Sequence, residues 1–123
     1  MISEDEEYQQ EVVKRWTETH KKSMTMFVIL VGLSQKPMWS KELMEWIVDI
    51  TNWTITERGL HRTLQRTAKL GLIDYENTTS PKSGAKRKVY KITEIGKDVT
   101  KAIKDESLIY LTTPIFKELL TKS

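Results

Sequence analysis

Ile55-Thr56-Glu57-Arg58-Gly59-Leu60-His61-Arg62-Thr63-Leu64-Gln65-Arg66-Thr67-Ala68-Lys69-Leu70-Gly71-Leu72-Ile73 is a helical stretch whose two faces separate by chemistry. With Thr56 as N-cap, Ile55 falls just before the cap and Leu60 four residues in, a hydrophobic staple, and Glu57 sits where the helix dipole favours a negative charge. Thr54 with Glu57 makes a rival capping box, so the first turn is placed to within about two residues. At roughly 100° per residue, Leu60, Leu64 and Thr67 cluster on one side. Arg58, Arg62, Gln65, Arg66 and Lys69 fall on the other, with His61 at the border. Gly71 most readily takes the left-handed conformation that ends a helix, and Leu72 to Glu76 then reads as a strand.

Working outward, Lys88 to Ile92 supplies the second strand of a pair. Between them Asn77 to Arg87 has the Ser, Pro and Gly of a hairpin tip, with Ser80-Pro81-Lys82-Ser83-Gly84 as its loop. Lys82, Lys86, Arg87 and Lys88 load that tip with positive charge. Upstream, Pro37 stops the chain, Ser40 is the expected N-cap of a short helix, and Leu43, Ile47 and Ile50 line its apolar face. Met24 to Leu33 is apolar nearly all round, which places it at the centre of the core. Before it, Ser3 and Glu6 form a capping box for an N-terminal helix with a narrow stripe of Tyr8, Val12, Val13 and Trp16, running to about Lys22. Downstream, Thr93 caps a helix with the stripe Ile95, Val99, Ala102 and Ile103. Leu108 to Leu111 is apolar on every side, and Thr113-Pro114 opens a last short helix carrying Phe116, Leu119 and Leu120.

The chain is long enough for one domain of 123 residues, and its 38% hydrophobic content suffices for a packed core. With no cysteine and only His20 and His61 as histidines, disulfides, thiolate nucleophiles and a metal cage are not expected. No paired carboxylates with a flanking base, phosphate-binding glycine loop or nucleophile constellation is present, so an enzyme is not expected, nor a cofactor. The apolar run Met26–Leu33 is too short to cross a bilayer, and a soluble, cytoplasmic protein is the expectation. Charge is segregated: residues 58–104 hold twelve bases and four acids, a net +8, and the remainder holds eight bases and thirteen acids, a net −5. Such a basic half calls for a polyanionic partner, nucleic acid ahead of membrane.

Three helices followed by a hairpin with a basic tip is the order of a winged helix-turn-helix, here mainly α (α+β) with extra N- and C-terminal helices. The reading divides the chain into an N-terminal helix (1–22) for dimerisation or core packing, a winged-helix DNA-binding domain (23–104) and a C-terminal helical segment for dimerisation (105–123). In such a domain the third helix enters the major groove and the hairpin reaches the flanking backbone. Arginine forks onto guanine or phosphate, glutamine pairs with adenine, and lysine supplies a mobile charge. The candidate DNA contacts are therefore Arg58, His61, Arg62, Gln65, Arg66 and Lys69 on the helix and Lys82, Lys86, Arg87 and Lys88 on the wing. A partly buried surface role competes for His61, and a merely solvated basic face competes for the set. The alternative function is a winged helix used as a protein-interaction module in a larger assembly.

Three stretches carry a family resemblance. Ile29-Leu30-Val31-Gly32-Leu33 with Pro37-Met38-Trp39-Ser40-Lys41-Glu42-Leu43, Gly59 to Arg66 with Lys69-Leu70-Gly71-Leu72-Ile73, and Lys86 to Gly96 resemble the first helix, recognition helix and wing of the PadR-like transcription regulators. The resemblance runs from about Phe27 to Gly96. It departs from the family's habits at Trp39-Ser40, at Thr67-Ala68 and in the longer N-terminal helix. It implies a transcription regulator, with a repressor acting on double-stranded DNA as a homodimer the expectation, and it implies that Trp16, Trp39, Trp46 and Trp53 could wall a pocket for a flat aromatic effector. Tryptophans at helical spacing more often fill a core or an interface, so an effector stays open and unsupported.

Overall fold

Ser3 starts the first helix as an N-cap, its hydroxyl accepting a hydrogen bond from the Glu6 amide at 3.2 Å. In the computed structural model, which describes Met1–Ser123, this helix α1 runs unbroken from Glu4 to Gln35. The sequence pattern instead separates a helix ending near Lys22 from a buried one beginning at Met24. Lys21-Lys22-Ser23 contains no glycine or proline to end a helix, so the apolar stripe widens where the chain enters the core and no break occurs at 22/23. Val28, Ile29, Leu30 and Leu33 of α1 form one wall of that core.

After Pro37, Met38–Trp39 forms a short strand β1 that the pattern does not mark, and α2 spans Ser40–Thr51. Trp39, not Ser40, is the N-cap of α2: its backbone is extended, and its amide donates to the Glu42 carboxylate at 3.4 Å. Leu43 and Ile47 are fully buried, while Ile50 is 63% exposed because the last turn of α2 overhangs the core edge. α3 spans Glu57–Lys69 with Thr56 as its cap, the Thr56 hydroxyl accepting from the Gly59 amide at 3.0 Å, which decides against Thr54. Leu60, Leu64 and Thr67 are buried as the periodicity predicts, and Thr63 joins them. The two threonines stay satisfied by donating to the carbonyls of Gly59 and Thr63, at 3.0 and 2.6 Å.

Gly71 takes φ +77°, turning the chain from α3 into β2 (Ile73–Thr79), which pairs antiparallel with β3 (Lys86–Ile92). The sheet order is β1-β3-β2, with Tyr90 opposite both Tyr75 and Met38. Ile73, Tyr90 and Met38 lie on the face turned to the core. Both strands run further than the pattern indicates, so the turn is confined to Ser80–Ala85 and Lys86, Arg87 and Lys88 lie on β3, opposite Thr79, Thr78 and Asn77. Only Lys82 of the wing cations sits in the turn itself.

Thr93 caps α4 (Glu94–Ala102), accepting from the Gly96 amide at 3.0 Å and donating to the Gly71 carbonyl at 2.7 Å, which ties the base of the wing to the end of α3. The core-facing side of α4 is turned toward Gly96 and Val99, leaving Ile95 61% exposed at its edge. Gly96 is buried against the Leu72 carbonyl, where an added Cβ would overlap that oxygen and approach Ile92 Cγ1 to 2.7 Å. Gly96→Ala is therefore expected to destabilise the fold by about 1–3 kcal/mol, read as a lowered midpoint in thermal unfolding. An unchanged midpoint would show that the contact relaxes freely. Beyond α4 the chain makes a π turn (Ile103–Ser107), a 3-10 turn (Ile109–Thr112) and α5 (Pro114–Lys122), capped by the Thr113 hydroxyl. The whole is a mainly helical winged helix with additional helical segments at both ends, and none of its helices is long and apolar enough to cross a membrane.

Candidate nucleic-acid interface

All six side chains read from the α3 sequence, Arg58, His61, Arg62, Gln65, Arg66 and Lys69, are exposed, and all but His61 lie on the face opposite Leu60 and Leu64. The helix presents them in an order set by its period. Arg58, Gln65 and Lys69 lie near the centre of the exposed arc, and Arg62 and Arg66 turn toward α1. His61 turns the opposite way, to a cleft of about 400 Å³ between α2 and α3 whose wall includes Trp39, Met44 and Glu57. One Arg66 guanidinium nitrogen donates to the Thr63 hydroxyl at 3.2 Å, which fixes the side chain near its helix.

The strand register divides the wing cations between two faces. Lys88 shares the Tyr90 face, and its ammonium stands 4.4 Å from the Tyr75 ring centroid, in a groove shared with Gln65 and Lys69 of α3. Lys86 lies on the same face two residues earlier and is exposed. Arg87 points to the other face, its guanidinium 4.5 Å from the Trp39 ring centroid and its Nε buried without a partner. This contact joins the wing to the start of α2. The sequence conceals it because strand parity is unreadable through a region with loop composition.

The ion pairs separate the basic residues of the segment 58–104 into two groups. Lys91, Lys97, Lys101 and Lys104, behind the interface, each lie within salt-bridge distance of an acid: Lys91 with Glu76 at 2.7 Å, Lys97 with Glu94 at 3.2 Å, and Lys101 and Lys104 with Asp105. The hydrogen bond from Lys91 holds the Glu76 carboxyl below its ordinary pKa and raises the Lys91 ammonium above its own; Lys101 and Asp105 shift in the same directions for the same reason. Arg58, Arg62, Arg66, Lys69, Lys82, Lys86, Arg87 and Lys88 make no salt bridge. Within this segment the unpaired cations thus lie on α3 and the wing, a disposition that suits an anionic partner.

The four tryptophans do not converge on one pocket: Trp39 and Trp46 stand apart, and Trp16 and Trp53 meet through His20. Trp39 meets Arg87, Trp46 packs over Gly32 of α1, and exposed Trp16 stacks on His20 at 4.9 Å, which in turn meets Trp53 edge-on at 5.6 Å. No group of three or more His, Asp or Glu side chains comes together as a metal site.

The sequence model of the transcriptional regulator PadR-like family matches residues 29–102. No curated protein matches the chain. Among solved structures, a PadR-like transcriptional regulator from Bacillus cereus is 25% identical with a TM-score of 0.71, covering 83% of this chain and 96% of that one. A PadR family transcriptional regulator from Eggerthella lenta is 18% identical with a TM-score of 0.71, covering 94% and 98%. Bacillus subtilis PadR in complex with operator DNA is 15% identical with a TM-score of 0.61, covering 68% of this chain and 49% of that one.

Proposed function

The chain belongs to the PadR-like family of transcriptional regulators, and from that premise we propose that it is a repressor that binds double-stranded DNA sequence-specifically as a homodimer. α3 lies in the major groove, with Arg58, Arg62, Gln65, Arg66 and Lys69 toward base edges and phosphates and His61 at the border, beside the cleft to α2. Lys82, Lys86 and Lys88 hold the flanking backbone from the wing, which Arg87 braces against Trp39. The observation that carries this reading is that these cations make no salt bridge while those behind them on β3, α4 and the following turn do. It is supported by a structural relative solved with operator DNA. The apolar side chains left open on α1 and α5 supply the surface for a second copy.

Fluorescence anisotropy of a labelled duplex across salt concentrations tests the reading. Log affinity should fall linearly with log salt, as it does when phosphates displace counterions. A contact made through apolar surface to a protein partner would respond little to salt. The double substitution Lys86→Gln/Lys88→Gln is expected to weaken preferred and random duplexes alike and to reduce the salt slope by about 1 for each phosphate no longer neutralised. Unchanged affinity and slope would remove these lysines from the interface.

A further inference from the structure

The unbroken α1 brings two cations that sequence patterning leaves unassigned up to the interface. Lys21 and Lys22 border a cleft of about 450 Å³ whose facing wall is one side of α3, including Gly59, Arg62 and Arg66. Trp53 lies at the same cleft, and its edge contact to His20 holds the loop before α3 against α1 just ahead of the two lysines. Glu18 is the one acid among the lining residues, against Lys21, Lys22, Arg62 and Arg66, and none of the five makes a salt bridge. The N-terminal end of α3, with its partial positive charge, opens on the same side. Four unpaired cations in one cleft repel one another, and an entering anion relieves that repulsion.

We propose that this cleft grips a backbone phosphate of the duplex, with Lys21 and Lys22 of α1 as the second wall of the DNA-binding surface. The proposal rests on the reading of α3 as the major-groove helix. That groove is bordered by a backbone on each side. On this protein α3 is likewise flanked on two sides, by Lys88 of the wing next to Gln65 and Lys69, and by Lys21 and Lys22 next to Arg62 and Arg66. Each wall holds one border, and α3 is centred between them. Both lysines precede the family-matched segment 29–102, so this wall belongs to the N-terminal part of this chain.

The test is anisotropy on the full chain with the preferred and a random duplex, comparing the parent, Lys21→Gln/Lys22→Gln and Arg62→Lys. The lysine pair should lower both affinities by a similar factor, about tenfold near 0.1 M salt, and make the salt slope shallower by about 1 for the phosphate no longer neutralised, leaving the preferred-to-random ratio unchanged. The single variant Lys22→Gln, at the more exposed of the two positions, should give about half of that change in slope and guards against a folding effect. If the lysine variants bind as the parent does while Arg62→Lys loses specificity, the α1 wall is wrong and the α3 reading stands. A collapse of the preferred-to-random ratio in the lysine variants would assign them to bases and overturn the backbone role. A parent that binds neither duplex would overturn both.

Discussion

The double substitution Val12→Asp/Leu119→Asp is expected to make the protein monomeric at tens of micromolar in sedimentation equilibrium and to lower affinity for a two-half-site duplex by about 10²–10⁴-fold. The expectation comes from what the two ends of the chain leave uncovered. Tyr8, Val12, Val13 and Trp16 on α1 and Ile115, Leu119 and Leu120 on α5 are all exposed, and the turn between α4 and α5 adds Ile109, Tyr110 and Leu111. In the proposed homodimer this apolar surface is what a second copy of the chain would cover by symmetry. A two-fold axis through the terminal helices of the proposed dimer is expected to set the two α3 helices about 34 Å apart, one turn of duplex. Linked half-sites raise each other's effective concentration to the millimolar range, and a monomer forfeits that gain. Because both side chains are exposed, the fold should survive, and circular dichroism checks it. A variant that stays dimeric would place the interface elsewhere.

Arg62→Ala is expected to cost about 1–3 kcal/mol on the preferred site, roughly 5- to 150-fold, and much less on random duplex. A bidentate arginine on guanine discriminates by geometry, so the charge-conserving Arg62→Lys should recover the random-duplex affinity more than the specific one. Equal losses on both duplexes for Arg62→Ala, fully recovered by lysine, would instead make Arg62 a phosphate contact, as its position beside the α1 cleft also allows. Competition titrations on both duplexes decide it.

The helices are legible in the sequence where period and cap agree. α3 shows this best: the staple residues Ile55 and Leu60, the Thr56 cap and Gly71 all mark its bounds, and the structure places its six candidate side chains in solvent together. The unity of α1 is concealed because its apolar stripe changes width at the core boundary, which mimics a junction between two helices. The wing is misread at its tip because Lys86-Arg87-Lys88 and Asn77-Thr78-Thr79 are polar on both strand faces; above the core, alternation no longer signals a strand. Three features depend on neighbours distant in sequence: the pairing of Met38 and Trp39 with β3, the stacking of Arg87 on Trp39, and the meeting of Lys21 and Lys22 with α3.

The most direct measurement is selection of bound duplexes from a randomised pool by the purified full chain, followed by the affinity of the recovered sequence across salt. The account predicts a pseudo-palindrome with half-site centres about 10 base pairs apart, bound at least about 10³-fold more tightly than random duplex, with log affinity falling linearly with log salt. Recovery of no preferred sequence, or binding that does not weaken with salt, would contradict it.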